Sequence, residues 1–494
     1  MANVSINLSA AAVAVYNQGA DATAVGSLAE AIDLFFTFDL AFAAAHPTYT
    51  TNTVFGQTET FAYSGGSSTK FAGVNYVTQS PTLTTAFASS IENTVPENLR
   101  VTYTGRFDYQ YGTLNNIANR LDVGAATITS GKLSTLLPLN SPNYNADLGN
   151  VALEYAGNVT VGDNGDFAGQ LTELRTSADK FIKSSSIGGT INVSGNALTI
   201  ANGSTGTLIT GTATSYADLY HDGSQLSVTG AAMPLTGETA FELALLGQGA
   251  NFPGADVFDV RLAAKMTAPL NLASGSGDDQ LTLQSAGTAI KLDAGSGNDR
   301  ITLLDHGMTI NGGGNLDTIV LAGNRASFTV QKNGSAFSLS EKGGLVSDLL
   351  TNVERIKFAD ATMAIDINGA GGQAYRIYEA AFNRAPDSAG LGYWINVLDK
   401  GATLKEIAAG FVKSAEFASL YGASPSNTAL VTALYTNVLN RAGEQAGINY
   451  WVSVLDSKAA PVSDVLMYFS EGAENQAATV GVIGNGFEYT PYIG

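Results

Sequence analysis

Three glycine-rich loops that end in aspartate, spaced at a near-constant period, constrain this chain more than any other feature. They read Ser274-Gly275-Ser276-Gly277-Asp278-Asp279, Ala294-Gly295-Ser296-Gly297-Asn298-Asp299 and Gly312-Gly313-Gly314-Asn315-Leu316-Asp317. Each runs into an alternating apolar pair, Leu281/Leu283, Ile301/Leu303 and Ile319/Leu321. A second set of pairs precedes the loops: Leu270/Leu272, Ile290/Leu292 and Met308/Ile310. Alternation of this length marks a short half-buried strand. Recurrence at steps of 20 residues (Asp279 to Asp299) and 18 (Asp299 to Asp317) marks stacked coils. The pattern predicts a parallel roll with two strands per coil and the glycine–aspartate loops along one side.

The loop composition has a chemical reading. Glycine takes the left-handed backbone that turns carbonyls toward one point. A calcium ion wants about six to eight oxygen ligands, carbonyl and carboxylate together. The candidate ligand positions are Gly275, Gly277, Asp278, Asp279, Gly295, Gly297, Asn298, Asp299, Gly313 and Asp317. The alternative is a metal-free solenoid in which Gly and Asp only make turns. Over roughly residues 268–322 these motifs resemble the repeats-in-toxin (RTX) family, whose consensus is Gly-Gly-x-Gly-x-Asp-x-apolar-x. Two copies depart at the first glycine, with Ser274 and Ala294, and the third has Asn315 where glycine is expected. The resemblance implies a calcium-binding β-roll in a secreted protein exported by type I machinery.

Charge and cysteine usage fit that expectation. With 43 acidic against 24 basic residues the chain carries −19, which argues against nucleic-acid binding, where a basic face is needed. Cysteine is absent, as in the type I secreted proteins the chain resembles, so disulfides cannot staple it. Met1-Ala2-Asn3-Val4 lacks the basic start of a signal peptide. The most apolar early stretch, Leu28 to Ala45, is interrupted by Glu30, Asp33 and Asp39, so no transmembrane insertion is expected.

At 494 residues, about three domains are expected. The fold class expected is multidomain and mainly β. Residues 1–255 form a β-rich domain, with a solenoid as one form it can take. Near its start a helix is expected at 27–45, opened by a Ser27/Glu30 capping box. Strand alternation appears at Thr58–Tyr63, Val101–Thr104, Asn192–Ser194 and Ala197–Ile200, and Asp163-Asn164-Gly165-Asp166 signals a hairpin. Tyr103-Thr104-Gly105 is weakly echoed by Tyr155-Ala156-Gly157. The roll occupies 256–325, and 326–366 supplies an Asn333-Gly334 hairpin and a strand cap over Leu349–Asp360. Residues 367–494 are expected to form an all-α domain, and the resemblance to type I secreted proteins implies an uncleaved export signal at its C-terminal end.

That last domain is duplicated. Asn383-Arg384 through Gly390-Leu391-Gly392-Tyr393-Trp394 matches Asn440-Arg441 through Gly447-Ile448-Asn449-Tyr450-Trp451 at an offset of 57. Asp387 reads as a helix N-cap, and both tryptophans read as packing residues. The unit resembles an uncharacterised helical repeat found near the C-termini of type I secreted bacterial proteins and distantly similar to phycobilisome linkers. The resemblance implies export and assembly, with no chemistry attached.

Catalytic motifs are missing: there is no cysteine, no nucleophile elbow and no His-Glu-x-x-His helix. His46, His221 and His306 are scattered. Acids of the N-terminal half (Asp108, Glu154, Asp166, Glu173 and Asp218) keep a polysaccharide-acting enzyme as a minor alternative. The expected function is therefore non-enzymatic: a secreted, calcium-stabilised bacterial surface protein that self-assembles into a surface layer, filament or matrix. The rival is a calcium-dependent adhesin for cell-surface polysaccharide or lipopolysaccharide.

Overall fold

The computed structural model describes residues 3–8, 49–64, 67–80, 82–95, 99–114, 117–135, 151–161, 166–178, 182–196, 208–220, 222–236 and 252–493. The helix expected at 27–45, His46, His221, the strand at Ala197–Ile200 and the turn at 162–165 lie outside those residues. Among the described residues the chain is mainly β up to residue 364 and helical after it, with eight α-helices, in keeping with the β-then-α organisation expected from the sequence. It divides into two compact units, residues 1–273 with 286–288, and 274–285 with 289–494.

In the first unit, strands stack one on the next in chain order. Leu83–Val95, Leu99–Leu114, Ile117–Thr135, Val151–Val161, Asp166–Ala178, Ile182–Asn196, Leu208–Tyr220 and Gln225–Thr236 pair antiparallel in succession. Asn3–Leu8 then adds antiparallel to Gln225–Thr236 and parallel to Val257–Leu262. The hairpin read at 159–171 is present, with Val161 opposite Phe167.

One row across this sheet explains the sequence echo. Tyr103, Tyr155, Leu174, Ile187, Tyr216 and Val228 are all buried at the same height, with Gly131 opposite both Tyr103 and Tyr155. Directly beside the row the register shifts in strand after strand, at Thr104/Gly105, Ile128/Ser130, Leu171/Glu173, Gly188/Gly189 and Ala213/Ser215. Bulges bend a strand and need room for close backbone approach. Gly105 and Gly157 supply it: a Cβ would lie 2.1 Å from Thr127 O and 2.4 Å from Gln170 O. The echo thus marks an aligned line of bulges.

The second unit begins with the roll, whose coils are parallel. Gln280–Gln284, Arg300–Leu303, Thr318–Val320 and Arg355–Lys357 form one sheet. Ile290–Asp293, Thr309–Asn311 and Asp348–Thr351 form the other. Every anticipated apolar pair in these strands points inward: Leu281, Leu283, Ile290, Leu292, Ile301, Leu303, Ile310 and Ile319 are buried. Fully burying such a side chain contributes about 1.5–3 kcal/mol, so the core is carried by residues spaced two apart.

Antiparallel strands close the roll. The Asn333-Gly334 hairpin forms from Phe328–Asn333 and Ala336–Glu341, and its second strand pairs antiparallel with Asp348–Thr351. On the other sheet Thr362–Ala364 pairs antiparallel with Arg355–Lys357, and the late strand Phe487–Tyr489 covers it in turn. Open sheet edges recruit other chains, and these additions cover them.

The helices are α1 Ala370–Phe382, α2 Ser388–Asp399, α3 Leu404–Val412, α4 Ala415–Tyr421, α5 Asn427–Leu439, α6 Gln445–Asp456, α7 Val462–Glu471 and α8 Ala473–Ile483. The duplication is structural: α1 to α4 recur as α5 to α8. Asn383 and Asn440 end α1 and α5, both in the left-handed conformation at φ +51° that stops a helix. The arginine after each folds back over a tyrosine ring, Arg384 on Tyr378 at 4.9 Å and Arg441 on Tyr435 at 5.1 Å. Each then reaches a glutamate, Glu416 or Glu474, at 2.7 and 2.5 Å. Asp387 caps α2 by accepting from Gly390 N at 2.7 Å. Trp394 and Trp451 are partly buried against the shared helical core, as their matched positions suggest. Among the described residues no helix is long and apolar enough to cross a membrane.

Candidate metal centre in the stacked loops

The loops stack directly on one another. Ser276, Ser296 and Gly314 form parallel bridges, and the backbone is tied by Ser296 N to Gly275 O (3.0 Å), Gly277 N to Ser296 O (2.7 Å) and Gly314 N to Gly295 O (2.8 Å). Gly275, Gly277, Gly295, Gly297 and Gly313 all have positive φ, between 95° and 136°. Stacking makes glycine obligatory as well as convenient. A Cβ on Gly295 would sit 1.8 Å from Gly275 O, one on Gly297 2.0 Å from Gly277 O, and one on Gly313 1.9 Å from Gly295 O. Asn315, at φ +80°, takes the left-handed place of Gly277 and Gly297. Asparagine tolerates that conformation, so the third loop keeps its shape.

The acidic side chains sort into two ladders. In the inner one, Asp299 Oδ1 accepts from Asp279 N, Asp317 Oδ1 accepts from Asp299 N, and Glu354 Oε2 accepts from Asp317 N, at 2.9, 2.9 and 2.8 Å. Asp279, Asp299 and Asp317 are essentially buried. In the outer ladder Asp278 Oδ1 accepts from Asn298 N at 2.7 Å, and Asn298 Oδ1 accepts from Leu316 N at 3.2 Å. The sequence candidates are therefore brought together, at two depths.

The inner ladder is short of positive charge. The Oδ2 atoms of Asp299 and Asp317 are buried and receive no hydrogen bond. Burial, with neighbouring carboxylates adding to it, pushes Asp299 up to about 6 and Asp317 up to about 7. Burial raises Glu354 to about 6 as well. Among the described residues no three acidic, histidine or cysteine side chains gather as a metal cluster. A cation here would draw most of its oxygens from loop carbonyls, each of which has a lone pair beyond its backbone bond. An oxygen-rich, glycine-walled, anionic donor set of this kind suits a hard divalent ion.

Two features escaped the sequence. Glu354 follows Asp317 by 37 residues, after the hairpin insertion. Its signal was available, because Glu354-x-Ile356-x-Phe358 repeats the acid-x-apolar-x-apolar pattern of the loops. The opposite side of the roll also uses aspartate. Asp305 Oδ1 accepts from Ser285 N at 2.7 Å, and the buried Asp348 accepts from Gly307 N and Met308 N and meets His306 Nδ1 at 2.6 Å. Its bond to Asp348 raises the His306 pKa.

The acids of the N-terminal half are dispersed. Asp108 pairs with Arg106, Glu154 with Lys132 and Glu173 with Arg175, each along the sheet surface, and Tyr216 donates to the buried Asp218 at 2.6 Å.

The comparison with known families falls on the helices. A domain of unknown function, DUF4214, matches residues 374–421 and 408–479, which span both repeats. No curated protein matches the chain at a significant level.

Proposed function

We propose that the roll is a calcium-dependent staple in a secreted, non-enzymatic bacterial surface protein that assembles with copies of itself. The observation that carries the calcium reading is the buried inner ladder, in which Asp299 and Asp317 each hold an oxygen with no hydrogen-bond donor. Each ion would sit between neighbouring coils, held by Asp279 with Asp299 or by Asp299 with Asp317, together with carbonyls of the loops at Gly275–Gly277, Gly295–Gly297 and Gly313. Bound calcium would neutralise the ladder. The exposed Asp278 and Asn298 would set the rim.

Linkage then gives the roll a switch. Where calcium is scarce the ladder repels itself and the roll is destabilised, which suits an exportable chain. Where calcium is abundant, binding to the folded form alone adds about 2.7 kcal/mol per site at a hundredfold excess over Kd. Export by type I machinery and the RTX relationship belong to this proposal. They rest on the loop sequences and on the helical repeats.

Electron microscopy of the purified protein with calcium and with excess chelator tests the reading. Ordered sheets or filaments with calcium and dispersed particles without it are expected. A protein that stays dispersed in both but binds cell-surface glycan would favour the adhesin reading instead.

A further inference from the structure

On the side of the roll away from the glycine loops, one histidine joins three parts of the chain. His306 follows the strand Arg300–Leu303 and its side chain is only 11% exposed. Its Nδ1 lies 2.6 Å from Oδ2 of Asp348, the first residue of the strand that re-enters the roll after the capping hairpin. Its ring stands edge-on to Phe328, the first residue of that hairpin, with centroids 5.8 Å apart. Its Nε2 lies 4.0 Å from Oε1 of Glu341, the last residue of the hairpin. A single imidazole thus meets both ends of the cap and the strand that the cap covers.

Charge makes this junction sensitive. Asp348 is fully buried, and its Oδ1 accepts from Gly307 N and Met308 N at 2.8 and 3.0 Å. Both of those donors are neutral. Among the described residues His306 is the one basic side chain within ion-pair distance of Asp348. A buried carboxylate is costly when no cation is paired with it. The charged groups that act on His306 are all acidic: Asp348 on the re-entering strand, Glu341 on the hairpin and Asp305 beside it in the chain. Glu341 is well exposed and adds least to stability. The hydrogen bond to Asp348, opposed by burial, holds the His306 pKa above its ordinary value.

We propose that protonated His306 is a pH-sensitive latch, which holds the hairpin 328–341 on the strand Asp348–Thr351 and loosens as pH rises. The neutral ring can keep a proton on Nδ1, and with it the bond to Asp348, so deprotonation removes the charge and leaves the contact. Asp348 is then a buried carboxylate without a cation. Leu339 pairs with Asp348 and Phe337 with Leu350, so the weakened junction lies at the start of the pairing that docks the hairpin. A histidine whose folded pKa is raised above 6.5 adds stability that is full below that value and lost as pH rises through the folded one. A loosened hairpin uncovers the edge of Asp348–Thr351, where another chain can pair.

Two exchange measurements on the full chain test the latch. Hydrogen exchange at the imidazole carbon of His306, read by mass spectrometry against pH, should titrate above 6.5 in wild-type protein. In Asp348→Asn, which keeps an acceptor for Gly307 and Met308 and drops the charge, that titration should move down. Backbone exchange, corrected for its intrinsic pH dependence, should show 328–341 losing protection as pH rises through the His306 titration, while 300–303 keeps its own. In His306→Gln the hairpin should already be loosened at about pH 6, where the wild-type imidazole is charged. An imidazole that titrates at or below 6.5, or hairpin protection that is equal on both sides of its titration, overturns the latch. Equal loss of protection from 328–341 and 300–303 overturns it too, because the whole roll is then responding. The wild-type readings decide the matter even where a variant fails to fold.

Discussion

Asp299 and Asp317 sit where ionisation is costly, and the sign of that cost is testable. Their folded pKa values, raised to about 6 and about 7, exceed the unfolded value near 4. A carboxyl raised in this way adds stability that is full below the unfolded pKa and lost as pH rises through the folded one. Chelated protein should therefore lose thermal stability between about pH 4 and 7, and calcium should restore it most at neutral pH. Unfolding followed by circular dichroism should show the gap in Tm between calcium-loaded and chelated protein widening from pH 5 to 7.5; a constant gap would detach these residues from the ion. Gly295→Ala should be far more harmful than its size suggests, because its Cβ would meet Gly275 O at 1.8 Å on a backbone at φ +95°. A loss of several kcal/mol is expected in denaturant unfolding, whereas Asn315→Gly should be nearly neutral. The stacked loops and their aspartates were legible because spacing and residue type coincide. Asn315 looked like a defect only because sequence does not display φ.

At the scale of elements, the end of the roll was partly legible. The Asn333-Gly334 turn follows from turn chemistry, but Leu349–Asp360, expected as a strand cap, supplies the parallel strands of the last coil, and the antiparallel strands beside them close the roll. The tie made by Arg355 was not legible, since its partners come from elsewhere in the chain. Arg355 is buried between Asp366 at 2.6 Å and Asp399 at 2.9 Å, joining the last coil to the end of α2. Six residues, 312–317, separate the paired strands of the third coil, but only three, 352–354, separate those of the next. The glycine turn is thus gone where Arg355 supplies fixed positive charge. Arg355→Met should cost about 3–5 kcal/mol in urea unfolding, because it strands two carboxylates away from water; a loss below 1 kcal/mol would mean that the pair is dispensable. The helical duplication was plain from its offset of 57. The strand Phe487–Tyr489 was not, because three residues carry no readable period.

For the molecule as a whole, a mainly β chain ending in a duplicated helical domain was legible from patterning alone. The antiparallel order of the long N-terminal strands was not: alternation fixes which face is buried and leaves the partner strand open. The glycines of the aligned bulges registered only as an echo, since their reason is a carbonyl on the neighbouring strand. The account's central claim is that the stacked loops bind calcium through the inner ladder. Isothermal titration of calcium into the chelator-stripped full chain, beside Asp279→Ala with Asp299→Ala, tests it most directly. Saturable binding to the wild-type chain, lost or at least tenfold weaker in the double variant, is the expected result. Equal stoichiometry and affinity in the two proteins would contradict it.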